Sequence, residues 1–351
     1  MSIKARSPMR YLETEIVGTP LNQFDDVVNF LNSLTSKEYL VNLIVERHKK
    51  TAAESEEIAK VVIPHIQSAL GFIEQASTGP HQVSFLPCYY AVLNLLKVYI
   101  LLGPYADSLS AQRHHGATYD VNAKTPESLL DETITLKGKG AIPLFYKTIT
   151  NLDIPEGSIK LADIYPYLEE ASSEYMILTK KTTNLCGLKI ERFMPQADGK
   201  SVRAVVRIFN WGGAQLKASD ILLFKGDWKV ENGFYVGPPQ LTAKTNEENV
   251  ANLRPHMNSD LIHLSYEVPD ETGVFVTPIC QTKFLTVQEI PIILMFFYLS
   301  NVVRYKPETL QMLVASRYWP IVNSARRHSL FSSMKLCWSF VHQTNLLIKG
   351  V

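Results

Sequence analysis

The feature that most constrains the fold is an almost entirely apolar run at residues 88–102, CYYAVLNLLKVYILL. Only Asn94 and Lys97 among its fifteen residues are strongly polar. Pro87 suits the first turn of a helix, because its missing N–H needs no partner there. The spacing of Tyr90, Asn94 and Lys97 places them on one side of that helix. We therefore predict a buried helix with one narrow polar stripe.

A second run, IPIILMFFYLSNVV at residues 290–303, has the same character. Its polar residues Tyr298, Asn301 and Arg304 follow one another at three-residue steps. Thr286 and Glu289 have the spacing of a capping box, which predicts the start of a helix. We expect both helices to be buried in one bundle, with their two polar stripes facing each other.

The rest of the chain alternates between helical and strand patterns. Residues 25–45 predict two short helices, with a capping box from Thr35 to Glu38. Helices are also predicted at 51–75, 159–178 and 319–349, and residues 134–146 predict short strands or a hairpin around KGKG. Residues 1–20 are expected to form an irregular arm. Short β-branched and aromatic runs at 184–282, divided by Gly, Pro, Asn and Asp, predict an antiparallel sheet of five or six strands. ILLFKG at 221–226 and LIHLSYEV at 261–268 are two of these runs.

These patterns predict an α+β protein with three regions. Residues 1–180 form an N-terminal helical region, 184–282 an inserted antiparallel β domain, and 286–351 C-terminal helices that complete the bundle. A chain of 351 residues is long enough to bury a large core.

The composition excludes several classes of protein. A net charge of +1 gives no global basic field for nucleic acid, so any such contact would need a local patch. The four cysteines are far apart in the sequence, which favours buried thiols over disulfides or zinc. The N-terminal residues lack the apolar core of a signal peptide, and the apolar run at 290–303 is too short to span a bilayer. We expect a soluble cytoplasmic protein that does not enter the membrane.

The common signatures of catalysis are missing from the sequence. It contains no Walker loop, GxGxxG, HExxH or GxSxG motif. We therefore predict neither a metal nor a cofactor.

The two polar stripes are the first candidate site. Lys97 and Arg304 would give a positive pocket for a phosphate or carboxylate, and His114 or His115 could transfer protons beside Arg304. In the alternative interpretation, the stripe of Asn94 and Lys97 is solvated, Arg304 caps its helix and pairs with Glu308, and the histidine turn only hydrogen-bonds the bundle.

The last helical segment holds a local basic patch that could bind nucleic acid, with Trp319 and Phe331 as stacking faces. A solvated helix face is the alternative. The patch consists of Arg317, Arg326, Arg327, His328 and Lys335.

Two segments resemble known families. The segment CYYAVLNLLKVYILL followed by HHGATYD is similar to the hallmark of HEPN-type helical bundles, and FFYLSNVVRYKPETL resembles the signature of the bacterial YaaC-like proteins. The resemblance spans about residues 25 to 345 and implies a helical bundle. The residues that carry it are Tyr89, Tyr90, His115, Gly116, Ser300, Arg304, Tyr305, Pro307 and Glu308. It adds Tyr305 and Glu308 to the candidate ligand-binding residues.

Many HEPN proteins are ribonucleases of toxin or antiviral systems and use Arg-x(4–6)-His, usually across a dimer. No arginine of this sequence precedes a histidine at that spacing. The resemblance therefore favours a binding or assembly subunit of a bacterial defence or stress system, with a protein partner or a second copy of the chain. The alternatives are an RNA-cleaving effector with a non-standard Arg/His site, and a sensor of a nucleotide or small anion.

Overall fold

The structure is a computed structural model that describes residues 2–6, 10–11, 13–19, 22–112, 114–120, 124–209, 217–221, 223–242, 245–258, 274–278 and 283–350. The chain divides into two compact units. Phe24–Lys181 and Glu289–Gln343 form the helical unit, whereas Met1–Gln23, Thr182–Gln288 and Thr344–Val351 form the β unit.

The helices, in chain order, are α1 Gln23–Ser33, α2 Lys37–His48, α3 Ala52–Thr78, α4 Phe85–Leu102, α5 Ala141–Thr150, α6 Leu161–Ile164, α7 Ser172–Thr179, α8 Asn246–Leu253, α9 Glu289–Tyr305, α10 Pro307–Ala315 and α11 Trp319–His342. All of them except α8 belong to the helical unit.

The strands, in chain order, are β1 Ser2–Arg6, β2 Glu13–Thr19, β3 Ala117–Asp120, β4 Thr133–Leu136, β5 Gly157–Lys160, β6 Leu185–Pro195, β7 Ser201–Phe209, β8 Lys229–Glu231, β9 Phe234–Val236, β10 Gln240–Leu241, β11 Val274–Pro278 and β12 Asn345–Gly350. Strands β3, β4 and β5 form a small antiparallel sheet in the helical unit, and the others lie in the β unit.

Helix α4 is the centre of the helical unit. It packs against α3, α5, α9 and α11, which explains why its sequence is apolar on almost every side. By length and composition it could cross a membrane, but 72% of its residues are buried inside the protein. Helix α9 is buried without interruption from Glu289 to Val302. Both helices were predicted from their apolar runs alone, and both predictions are confirmed.

Two predictions within the helical unit are wrong. The apolar residues 141–146 form the buried first part of α5 rather than a strand, and β4 pairs with β3 and β5 instead of with them. The helix predicted at 159–178 is divided into β5, α6, two 3₁₀ turns and α7. Pro166 lies in the first of those turns, where a proline interrupts regular helical hydrogen bonding.

The described residues of the β unit form two sheets. In the larger sheet the strand order is β11-β6-β7-β9-β8, with β10 pairing with β7. Strands β6 and β7 are antiparallel, and their register shifts between Ile190 and Arg192. Of the predicted strands, 221–226 contributes only an isolated bridge from Phe224 to Met257 among the described residues. The predicted strand at 261–268 lies outside the described residues.

The smaller sheet, with strand order β1-β2-β12, contradicts the predictions for residues 1–20 and 319–349. Residues 1–20 were expected to be irregular, whereas β1 and β2 form an antiparallel pair there. The helix predicted at 319–349 ends at His342, and β12 follows and pairs in parallel with β2. The buried Asn345 side chain fixes this pairing, because it accepts from the Tyr11 N–H at 3.1 Å and donates to the Tyr11 carbonyl at 2.8 Å.

The α+β class predicted from the sequence is confirmed, with antiparallel sheets and a predominance of helix. A HEPN-type arrangement of the bundle stays a prediction.

Thr51 and Thr35 show how two of the helices start. Thr51 caps α3: its Oγ1 accepts from the Glu54 N–H at 3.3 Å, and the Glu54 carboxylate accepts from the Thr51 N–H at 2.9 Å. Thr35 does not cap α2, because Ser36 is the N-cap residue there; the Thr35 hydroxyl instead donates to the Asn32 carbonyl.

We expect Thr51→Ala to lower the free energy of unfolding by about 1 kcal/mol, the usual cost of losing an N-cap side chain. Thr35→Ala is the matched control and should cost less than about half of that, because its hydrogen bond is exposed. Urea denaturation of the two variants measures both values. Equal losses would contradict the assignment of the caps.

Candidate functional site

The histidine turn at residues 114–116 is held by the N-terminus of α5. The Ala141 N–H donates to the His114 carbonyl at 3.2 Å, and the Ile142 N–H donates to the His115 carbonyl at 2.9 Å. The Gly140 N–H donates to Gln112 Oε1 at 2.7 Å. The first N–H groups of a helix have no partner within the helix, so here they position the turn.

Two glycines allow this close approach. Gly116 has φ +88°, and a Cβ on it would lie 2.3 Å from Pro143 Cδ. Gly140 has φ +125°, and its Cβ would lie 2.3 Å from the Gly116 nitrogen. Both conformations and both contacts exclude a side chain. The glycine that follows the two histidines is therefore a requirement of the backbone.

Beside this turn is an open depression with a volume of about 230 Å³, which we call the histidine pocket. Three imidazoles and one ammonium group line it, and none of the described residues in its wall is acidic. The lining residues are His65, Leu93, Lys97, Leu109, Gln112, His114, His115 and Ala141.

The hydrogen bonds of Asn94 define the protonation of His65. Asn94 Nδ2 donates to the Tyr90 carbonyl at 2.8 Å, so Asn94 Oδ1 is left to accept from His65 Nδ1 at 2.8 Å. In the neutral imidazole, Nε2 is then the acceptor. Burial and, to a smaller extent, the charge of Lys97 lower the pKa of His65, which favours that neutral form.

His115 has several positive neighbours. Burial lowers its pKa below the ordinary value of 6.5, and the charges of Arg304, Lys97 and His114 lower it further. Burial also lowers the pKa of Lys97. The effect of these charges on His115 indicates that they lie close enough to share a negatively charged ligand with it.

Arg304 connects the two predicted polar stripes. Its guanidinium donates to Tyr90 Oη at 3.4 Å, to Asn301 Oδ1 at 3.0 Å and to the Ser300 carbonyl at 3.4 Å. It also lies 5.1 Å from the centre of the Tyr305 ring, within cation–π range. The stripes thus meet at their Tyr90 and Arg304 ends.

An aromatic cluster surrounds His115. The Tyr89 ring packs edge-on against His115 at 5.5 Å and against Phe297 at 5.8 Å. Tyr119 packs against Phe297 at 6.2 Å and lies nearly parallel to Tyr305, with ring centres 6.5 Å apart and an interplanar angle of 11°. Tyr305 is more than half exposed, so part of this cluster faces solvent.

The structure does not bring every predicted site residue together. The Tyr298 hydroxyl donates to the Glu132 carboxylate at 3.4 Å, and its ring lines a small apolar cavity with Leu129 and Leu161. Glu308 lies exposed in the first turn of α10. The residues that do converge around His115 are Tyr90, Asn94, Lys97, His114, Asn301, Arg304 and Tyr305.

The predicted basic patch on the last helix is divided between surface and core. Arg317 and Arg327 are exposed, and His328 is half-buried. Arg326 is buried, where it donates to Ser84 Oγ at 3.1 Å and contacts His81 Nδ1 at 3.2 Å. Lys335 is fully buried, so it cannot contact nucleic acid on the surface of this fold.

The environment of Lys335 explains its burial. Burial lowers the pKa of its ammonium group to about 8, although the charges of Glu169 and Glu170 oppose that shift. Burial raises the pKa of Glu170 in turn. A buried charge is tolerated only with opposite charges or hydrogen bonds around it, and the two glutamates supply the opposite charge.

Sequence reasoning missed His65, Gln112 and Tyr119. His65 reaches the pocket because α3 packs against α4, and Gln112 because its side chain holds the start of α5. Both contacts join distant parts of the sequence, which no local spacing could reveal. Tyr119 follows the histidine turn by three residues, and its place in the segment HHGATYD was the available signal. Among the described residues, no three histidine, cysteine, aspartate or glutamate side chains form a group that could hold a metal ion.

The histidine turn makes a prediction about Gly116. We expect Gly116→Ala to lower the free energy of unfolding by at least about 2 kcal/mol, because the left-handed backbone alone costs roughly 1–2 kcal/mol and the new Cβ meets Pro143. Gly71→Ala is the control: it lies within α3 with nothing near its Cβ position, so alanine should stabilise by roughly 0.5–1 kcal/mol. Thermal unfolding would refute the account if both variants moved in the same direction.

The buried ammonium group makes a second prediction. Lys335→Met should destabilise the protein by roughly 3 kcal/mol, because it leaves buried glutamates without their counter-charge. Arg327→Met, on the exposed side of the same helix, should change stability by less than about 0.5 kcal/mol. Denaturant unfolding distinguishes them. Similar small effects would mean that Lys335 reaches solvent.

The comparisons with known proteins give the family. No curated protein and no solved structure matches the chain. The sequence model of one family, described as YaaC-like protein, matches residues 29–340, which is nearly the whole chain. The matched region contains the histidine turn, both buried helices and the residues around Arg304. The chain belongs to the YaaC-like family.

Proposed function

We propose that this protein binds a phosphate-bearing ligand in the histidine pocket and acts as a binding or sensing protein. The observation that carries the proposal is the convergence of three histidines and Lys97 on one open depression, with Arg304 close to His115. No described residue in the wall of the pocket is acidic, so none of them neutralises the positive charge of Lys97. An anion would therefore gain favourable electrostatic energy on entering.

The surroundings of the pocket favour recognition of a phosphate in particular. Arg304 is held in place by three hydrogen bonds, which reduces the side-chain entropy lost when it binds a ligand. A guanidinium matches the geometry of phosphate and carboxylate oxygens. The neutral imidazole of His115 could add an N–H donor. His65 gives its Nδ1–H to Asn94, so it could donate to a ligand through Nε2 only when it is protonated.

A second candidate function is RNA cleavage at the same place. A histidine that is neutral near pH 7 can act as a general base, and the lowered pKa of His115 supports that state. The nearby Arg304 could stabilise charge on a phosphoryl group. However, the described hydrogen bonds of Arg304 hold its guanidinium on Tyr90, Asn301 and Ser300. This arrangement favours a role in ligand binding over a role in catalysis.

The cellular context extends this proposal. A soluble cytoplasmic location accords with the burial of most of α4, which is the one helix long and apolar enough to span a membrane among the described residues. A role as a subunit of a bacterial defence or stress system, with a protein partner or a second copy, would make ligand binding the signal that such an assembly reads. That part rests on the resemblance noted in the sequence.

Titration calorimetry with sulfate tests the site, because sulfate stays doubly charged while the histidines titrate. We expect binding to weaken at least tenfold in Arg304→Gln and in Lys97→Gln, since a hydrogen bond to a charged group contributes roughly 1.5–3 kcal/mol. Arg327→Gln is the matched control on an exposed helix face and should bind like the parent protein. Equal affinity in all four proteins would refute the pocket.

The pH dependence of sulfate binding has a definite sign. Because the folded-state pKa values of His65 and His115 lie below 6.5, both imidazoles are neutral at pH 7.5 and gain charge as the pH falls. Bound sulfate favours the charged form, so the affinity should rise as the pH is lowered from about 7.5 to 5. His115→Gln should reduce that rise. An affinity independent of pH would show that neither histidine faces the anion.

A further inference from the structure

Two further depressions on the helical unit share lining residues with the histidine pocket. The second has a volume of about 330 Å³ and shares Gln112 with the pocket. The third has a volume of about 430 Å³, shares His114 with the pocket and shares Gly138 and Lys139 with the second. The second and third depressions therefore meet at Gly138 and Lys139, and each borders the histidine pocket. Together the three extend well beyond a single small anion.

Positive side chains line the whole of this region, which we call the basic track. Its described lysines are Lys97, Lys137, Lys139 and Lys147, with Arg304 beside His115 and with the imidazoles of His114 and His115 between them. Two carboxylates also line it, Asp153 and Glu156. Asp153 pairs with Lys147 at 2.9 Å. The lysines still outnumber the carboxylates, so the track is locally basic on a chain whose net charge is only +1.

Aromatic faces accompany these cations at intervals. Tyr105 lines the second depression, and the Lys147 ammonium lies 5.6 Å from the centre of its ring. Near the histidine pocket, Tyr119 and Tyr305 hold their rings nearly parallel. Such rings are stacking surfaces for planar bases, whereas an acidic peptide would use the cations alone. Alternating cations and aromatic rings are the usual means of binding an unpaired strand.

We propose that the basic track binds single-stranded nucleic acid, with one phosphate in the histidine pocket and further phosphates along Lys137 and Lys139. This inference rests on the proposed function, because it takes the anion of the pocket to be part of a polynucleotide. It places the contact away from the patch on the last helix, where Lys335 and Arg326 are buried.

Fluorescence anisotropy with labelled oligouridylates of two to twelve nucleotides tests the length of the site. The affinity should rise at least tenfold between the shortest and the longest strand, and it should fall with added salt. In Lys137→Gln/Lys139→Gln, the slope of log affinity against log salt should decrease by roughly 1.4, because each phosphate contact on a single strand contributes about 0.7. Lys180→Gln/Lys181→Gln, an exposed lysine pair elsewhere on the helical unit, is the matched control and should leave the slope unchanged.

Tyr305→Leu separates stacking from charge. It removes an exposed ring, so the affinity for the dodecamer should fall about tenfold, since stacking on one aromatic side chain contributes roughly 1–3 kcal/mol per base. Polyglutamate of equal charge should bind more weakly than the dodecamer, and Tyr305→Leu should leave its affinity unchanged. Equal binding of polyglutamate would overturn the inference in favour of an acidic protein segment.

The remaining outcomes distinguish this inference from the proposed function. Uridine monophosphate that binds as tightly as the dodecamer, with no effect of Lys137→Gln/Lys139→Gln, would refute the track and leave the histidine pocket intact. Binding of sulfate without binding of any oligonucleotide would likewise refute the track and leave the histidine pocket intact. Failure of sulfate, mononucleotide and oligonucleotide alike would refute both.

Discussion

The burial of α4 on all sides is the constraint on which the helical unit depends. Because α3, α5, α9 and α11 all pack against it, each polar group on its surface must find a partner in a neighbouring element. Asn94 finds His65 on α3, and Tyr90 finds Arg304 on α9. The same packing that completes the core thus brings an imidazole and a guanidinium to the edge of the pocket. The core of the helical unit and the candidate site therefore both depend on the packing of α4.

Much of this architecture could be predicted from the sequence, because the strongest signals are local. Long apolar runs predict helices α4 and α9, and a helical pattern at 51–75 predicts α3. The prediction for residues 141–146 was wrong, because six consecutive apolar residues have no periodicity that separates a strand from a buried helix. Its structure is decided by the histidine turn, which occupies the first N–H groups of α5.

The candidate site was less predictable, because charge and burial are set by distant residues. Lys335 has the sequence context of a solvated helix face, yet Glu169 and Glu170 allow it to lie in the core. His65 carries no motif and acquires a role only when α3 packs on α4. By contrast, the sequence predicts Tyr90, His115 and Arg304 as site residues, because they lie in segments that resemble known families. Local patterns do not reveal which charged groups from distant parts of the sequence lie beside a given side chain.

The pairing of β2 with β12 has a consequence for the order of events during synthesis. Thr14 pairs with Asn345, and Tyr11 exchanges hydrogen bonds with the same asparagine across 334 positions of sequence. A nascent chain therefore carries β2 without its parallel neighbour while all the residues between Thr19 and Asn345 are being synthesised. An unpaired strand edge exposes hydrogen-bonding groups to other chains. Translation of this protein thus includes a long interval in which a chaperone would find an open edge to protect.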